Sequence, residues 1–235
     1  MDRTLATVSF RHPSLAGPGP VEVRQDLGGF DGVDGTARWV WPGALRAAEW
    51  LCDRGPEWIR GKRVVELGAG TGMLGLVAAR LGAASVVLTD APSELALLRH
   101  NAQRANETRA ETCETSVAPL AWGDSRAIAD LAPPFDVVLC SDVLYQNPPE
   151  AQTALAATMA ELMTTPTSGA AEGANEATGT RRALFAYQFR ENVLEDRVFF
   201  EATETLFGDP IRHDVPEDDR EDLWLYEYRP LRVKG

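Results

Sequence analysis

The stretch Val64-Val65-Glu66-Leu67-Gly68-Ala69-Gly70-Thr71-Gly72-Met73-Leu74-Gly75 constrains this chain more than any other. A short apolar run that ends at glycine reads as a buried strand of a parallel sheet. A glycine-dense turn follows, and Met73 to Leu81 continues as an amphipathic helix. Strand, glycine turn and helix in that order open a nucleotide-type ligand site in an open α/β sheet. Glycine is needed there because it adopts backbone angles closed to residues with a Cβ. It also lets the main chain approach a ligand closely.

Two ligand classes fit the turn. Gly70-x-Gly72-x-x-Gly75, with Asp90 near the offset of a ribose-binding acid, satisfies the dinucleotide pattern. The register favours the other class. The strand ends at Leu67, so the pattern from its end is Gly68-x-Gly70-x-Gly72, preceded by the acid Glu66. That E-x-G-x-G-x-G form resembles motif I of the class I, seven-strand methyltransferases, which bind S-adenosylmethionine. The resemblance implies a turn built for a cationic sulfonium and an amino-acid tail, with no pyrophosphate to cradle.

At 235 residues the chain suits one α/β domain with an N-terminal addition and has ample length for a core. A net charge of −12 and no visible basic stripe argue against nucleic acid as a direct substrate. An acidic surface is compatible with a basic protein target and serves solubility equally well. Cys52, Cys113 and Cys140 form an odd, scattered set, which suggests reduced thiols in an intracellular setting. His12, His100 and His213 show no metal-ligand spacing, so no metal is expected. No stretch is long enough to span a bilayer, and the N-terminus lacks the layout of a signal peptide. The expectation is a soluble, monomeric, cytoplasmic protein, with the nucleus left open.

In chain order, Thr4 to Phe10 and Val21 to Leu27 alternate with period two across a Pro/Gly turn and are expected to pair as a hairpin. Gly28 to Gly35 is an acidic, glycine-rich connector. Gly43 to Cys52 reads as a helix with Ala44, Leu45, Ala48 and Leu51 on one stripe, and Pro42 suits its first turn. Arg63 to Leu67 and Ser85 to Thr89 are the first two sheet strands. Asp90 closes the second, where a carboxylate can accept both ribose hydroxyls of an adenosine or cap the next helix. Further strands are expected at Thr112 to Val117, Phe135 to Cys140, Arg182 to Phe189, Ile211 to Val215 and Leu223 to Tyr228. Helices are expected at Pro92 to Asn106, Pro149 to Met163 and Asn192 to Phe207. Thr164 to Thr180 has hardly any apolar bulk and reads as a mobile insertion. Pro216 to Asp222 is an acidic loop, either a solvated turn or a face for a cationic target.

Further elements fall in order. Trp39-Val40-Trp41-Pro42 resembles the V-W-[PD]-x-[AG] segment of the family 16 methyltransferases, in which the second tryptophan borders the cofactor. Trp39 is read as packing. Leu120-Ala121-Trp122-Gly123 resembles the same family's L-x-W-G element, and Asp142-Val143-Leu144-Tyr145 its D-x-x-Y motif. With motif I and Asp90, the resemblance spans residues 37 to 150 and is to the protein-lysine type. Tyr187-Gln188-Phe189-Arg190 resembles the Y-E-x-R of lysine-methylating relatives, with Gln188 replacing the acid. Asn147-Pro148-Pro149 resembles the N-P-P-[YF] signature of amide and adenine methylases. Here Ser141 to Leu144 intervenes and Glu150 replaces the aromatic, so it reads as a loop and helix start.

The resemblance implies a doubly wound, seven-stranded, mostly parallel α/β sheet of Rossmann-like form. A small N-terminal β addition covers 1–36, and the catalytic domain covers 37–235. It implies S-adenosylmethionine held by Trp41, Glu66, Gly68, Ala69, Gly70, Gly72, Asp90, Trp122 and Ser141, with Trp122 beside the adenine. Asp142 and Tyr145 then stand at the reacting centre. Asp142 grips an arriving ammonium or receives its proton through water, unless it only caps the following helix; Tyr145 walls the aliphatic stem. The expected activity is methylation of lysine side chains on a protein. A protein N-terminus or small amine remains open as acceptor, as does a silent binding module on the same fold. Intact Glu66, Asp90 and Asp142 speak against the last.

Overall fold

The computed structural model describes residues 2–15, 17, 19–28, 35–54, 56–107, 113–164, 181–190, 193–214 and 222–231. Strands β1 (Thr7–Phe10) and β2 (Val21–Arg24) form an antiparallel hairpin. Then follow α1 (Pro42–Arg54), β3 (Arg63–Leu67), α2 (Met73–Arg80), β4 (Ser85–Asp90), α3 (Leu95–Glu107) and β5 (Glu114–Pro119). The chain continues through α4 (Ser125–Asp130), β6 (Val137–Ser141), α5 (Pro149–Met163), β7 (Arg182–Gln188), α6 (Val193–Phe207), β8 (Ile211–His213) and β9 (Leu223–Tyr228). The main sheet runs β5-β4-β3-β6-β7-β9-β8. Its first five strands are parallel, and β9 lies antiparallel between β7 and β8.

The two-residue period of the strands divides the core into two layers. Val64, Val86, Leu88, Val137, Leu139, Leu184 and Ala186 face one side, with α1, α2, α3 and the hairpin. Val65, Leu67, Val138, Cys140, Ala183, Phe185 and Tyr187 face the other, against α4, α5 and α6. Helices on both faces are why the central strands are apolar at nearly every position. The chain reverses its direction of travel between β3 and β6, so the crevice of an open α/β sheet opens there, beyond the carboxyl ends of the strands.

The structure amends several expectations. Every residue of α2 from Met73 to Ala79 is buried, so this helix has no wet face. The hairpin covers its outer side, with Val21 and Val23 in the same core layer. Helix α4 has no counterpart in the sequence reading. It is six residues long, too short for a periodic signal, and starts on Asp124, whose carboxylate accepts from the amides of Arg126 and Ala127. The residues after Asp90 form a 3-10 turn, Pro92–Glu94, before α3 begins. The connector over 29–34, Thr112, the stretch 165–180, Asn192 and the acidic loop over 215–221 lie outside the described residues. Among the described residues, no helix is long and apolar enough to cross a membrane.

Candidate active site

The site starts from the turn after β3. Gly68 has φ +60, and a Cβ there would lie 2.8 Å from Val143 and 3.5 Å from Trp122. Only glycine allows that turn to pass beneath both side chains. The Ala69 amide donates to the Thr89 carbonyl, and the Gly72 amide donates to the Ala69 carbonyl and closes the loop. Gly72, with φ +81, is the cap of α2. The Gly70 amide donates to Asp90 Oδ2 at 2.7 Å, and the Ala91 amide to Asp90 Oδ1 at 2.8 Å. Each oxygen therefore accepts one backbone donor and keeps a lone pair for a ligand. Burial pushes the Asp90 carboxyl up to about 6 against the pull of those two bonds, and the Glu94 charge adds to the rise.

The opposite wall follows β6. Asp142 has φ +55, a left-handed conformation that aspartate tolerates better than most side chains. Its carboxylate points back to the start of α1: the Gly43 amide donates to Oδ2 at 2.7 Å. The anion thus caps α1 across the fold, and none of its described bonds reaches the helix that follows it. Arg190 Nη2 donates to Oδ1 at 3.1 Å and to Gln188 Oε1 at 2.7 Å. The same guanidinium lies 5.2 Å from the Trp41 ring centroid and 5.0 Å from that of Tyr145, and the two rings are 5.3 Å apart. Gly43 makes this closure possible, because a Cβ would sit 2.5 Å from Asp142 Oδ2. Gly43→Ala is expected to lower stability by about 1–3 kcal/mol, read by thermal or denaturant unfolding.

Glu66 lies behind the loop. It is buried on the α2 face of β3, where Oε2 accepts the Gly75 amide at 2.9 Å. Burial pushes its carboxyl up to about 8, the Asp90 charge adds to the rise, and the Gly75 bond opposes it. A raised carboxyl pKa means that folding favours the protonated acid. That stability is complete below the ordinary value of 4.5 and is lost as pH rises to about 8. Glu66→Gln keeps an acceptor for Gly75 and cannot ionise. Its stability relative to the parent should rise by up to about 1.4 kcal/mol per pH unit across that window and then level off. Denaturant unfolding at a series of pH values reads this directly; parallel curves for the two proteins rule the account out.

A cavity of about 600 Å³ lies between these walls. Trp41, Gly68, Ala69, Gly70, Asp90, Trp122, Ser141, Asp142 and Tyr145 all line it. Glu66 and Gly72 shape its floor from beneath without being part of the lining. Asp90 and Asp142 share this one cavity, although 52 residues separate them in sequence. Trp39, read from sequence as packing, also lines it, as do Ala37 and Thr71. Segment 37–41 is held there by long-range bonds: Gln25 Oε1 accepts the Val40 amide, and Arg38 pairs with Asp26. Neither bond leaves a local mark in the sequence. Arg190 sits within the Y-E-x-R-like segment, but its contacts with Asp142, Trp41 and Tyr145 could not be read from that motif.

The fold is that of the class I methyltransferases. Magnesium protoporphyrin IX methyltransferase from Synechocystis PCC 6803, solved with bound SAH, matches with a TM-score of 0.52 at 16% identity. The match covers 80% of this chain and 81% of that one. A likeness at that identity is one of fold. The lysine methyltransferase family profile matches residues 29–202, well over half of the chain, and the chain belongs to that family. It is 38% identical to protein N-lysine methyltransferase METTL21A of Danio rerio, over 47% of this chain and 49% of that protein. It is 35% identical to METTL21A of Mus musculus over 61% and 59% respectively, and 35% identical to EEF1A lysine methyltransferase 3 of Mus musculus over 48% and 46%. The chain thus spans about half the length of the curated relatives it matches.

Proposed function

We propose that this protein uses S-adenosylmethionine to methylate lysine side chains on a protein. The observation that carries the reading is the shared cavity: Asp90 at one end, suited to a sugar diol, and at the other Asp142 with two aromatic rings, suited to a cation. Membership of the lysine methyltransferase family and the names of the relatives support it. The residues fit the cofactor on structural grounds. The volume is within the usual range for a ligand of that size. Asp90 retains acceptor capacity, and Gly68 leaves room where any side chain would intrude.

In this reading Asp90 holds the ribose, the loop 68–70 lines the amino-acid tail, and Trp122 walls the adenine. Ser141 and Trp41 border the sulfonium end; Glu66 and Gly72 act by shaping the loop. The bound cofactor supplies an electrophilic methyl group, so the protein's own task is orientation and a dry path. A lysine ammonium has a pKa of about 10.4 in water and no free lone pair while it carries its proton. Partial burial and the nearby positive charge of a bound sulfonium would both favour the neutral amine. Asp142 seats the arriving cation; its Oδ2 is committed to the Gly43 amide, which makes it an orienting group before it is a base. The free cysteines Cys52, Cys113 and Cys140 fit a reducing, intracellular setting.

Incubation of the purified protein with methyl-labelled cofactor and cell extract tests the function. Label should enter protein and be recovered as methyl-lysine after hydrolysis. Label confined to the small-molecule fraction, or none at all, refutes it. A protein N-terminus is the second reading, supported by the 31% identity to protein N-terminal and lysine N-methyltransferase efm7 of Schizosaccharomyces pombe. The same hydrolysate separates the two products.

A further inference from the structure

We propose that Arg190 is a resident cation that closes the acceptor seat, and that the acceptor's ammonium must displace it. The inference rests on the function proposed above. Two aromatic rings and a carboxylate converging on one point are the chemistry that recognises a cation. Trp41, Tyr145 and Asp142 converge in this way and all line the cavity, whereas Arg190 lies outside the lining and meets the same three residues. The guanidinium thus takes up the contacts with Trp41, Tyr145 and Asp142 that an incoming lysine head group has to make.

The way Arg190 is held suits a plug better than a brace. Its bonds to Asp142 and Gln188 both run through Nη2, so the pairing with the carboxylate is single and not the forked form that makes such pairs strong. The Arg190 side chain is 26% exposed and Tyr145 is 37% exposed, so solvent reaches the clamp. A neutral amide, Gln188, completes its seat. The far side of Asp142 is anchored independently by the Gly43 amide, so the carboxylate stays in place when Arg190 leaves. Exchange of guanidinium for ammonium also keeps the buried carboxylate paired throughout. The acceptor therefore meets no stranded charge and instead competes with a tethered one.

Calorimetric titration with n-butylammonium chloride at neutral pH tests this without a protein acceptor or methyl transfer. Arg190→Ala and Arg190→Gln should each bind the probe at least about tenfold more tightly than the parent. The gain should vanish in the double variant Arg190→Ala/Tyr145→Ala. Once an acceptor protein is known, its KM should fall in the single variants. Equal binding by parent and variants, no binding by variants that still melt cooperatively, or a gain that survives loss of Tyr145 overturns the proposal. If neither single variant melts cooperatively, Arg190 is a structural brace and the proposal is likewise overturned. A silent titration leaves the methyltransferase reading intact, and an inactive labelling reaction leaves the titration result intact.

Discussion

Asp90→Ala should cost the protein at least about 100-fold in affinity for S-adenosylmethionine, measured by calorimetry on folded protein. The estimate follows from hydrogen bonds to a charged group, each worth about 1.5–3 kcal/mol, lost from a site where two are to be made. The Gly70 amide also loses its acceptor, so the loop that lines the ligand is released at the same time. Asp90→Asn should recover little, because its amide turns a donor toward the amide of Gly70 or Ala91. The parent carries its own test. Only the ionised carboxylate accepts both hydroxyls, and burial pushes this group up to about 6. Affinity should therefore hold above that pH and fall about tenfold per unit below it. A flat profile from about pH 5 to about pH 8 would show that Asp90 does not hold the sugar.

Asp142→Ala should lower methyl transfer by at least about 100-fold and leave cofactor affinity within about threefold of the parent. In the proposed function the carboxylate is the anion of the acceptor wall, and none of its described bonds reaches the Asp90 end of the cavity. Its removal strands the Arg190 guanidinium and strips the Gly43 amide at the head of α1. A stability loss of about 1 kcal/mol is expected from the lost cap. Alanine tolerates the left-handed backbone at position 142 less well than aspartate, which adds to that loss. Asp142→Asn keeps an acceptor for Gly43 and removes the charge. It should retain stability better than Asp142→Ala and remain as inactive. Equal loss of cofactor binding and transfer in both variants would remove Asp142 from the acceptor role.

Much of this architecture was legible along the chain. The bounds of β3 match the sequence reading residue for residue, as do the start and end of α5 and the bounds of β9. Each carries a strong local signal: an apolar run cut off by glycine, a proline at a helix start, an alternating aromatic strand. Nine of the eleven expected site residues line one cavity, because they stand at or just past the carboxyl ends of parallel strands or just before α1; Glu66, within β3, and Gly72, at the head of α2, lie beneath it. Short elements and solvent-free faces were not legible. Helix α4 is too short to show a period, and α2 is apolar enough to read either as half-buried or as enclosed.

The sequence alone determined the strand–turn–helix entry, the acid at the end of β4 and the ordered set of motifs, because turn angles and side-chain alternation are decided within a few residues of chain. Only the tertiary structure decided what Asp142 does. Its two described partners, Gly43 and Arg190, lie 99 and 48 residues away. A carboxylate shows no sign in its own neighbourhood of which distant helix start or guanidinium will meet it. That depends on how α1 and β7 pack around β6, and packing is a property of the assembled layers.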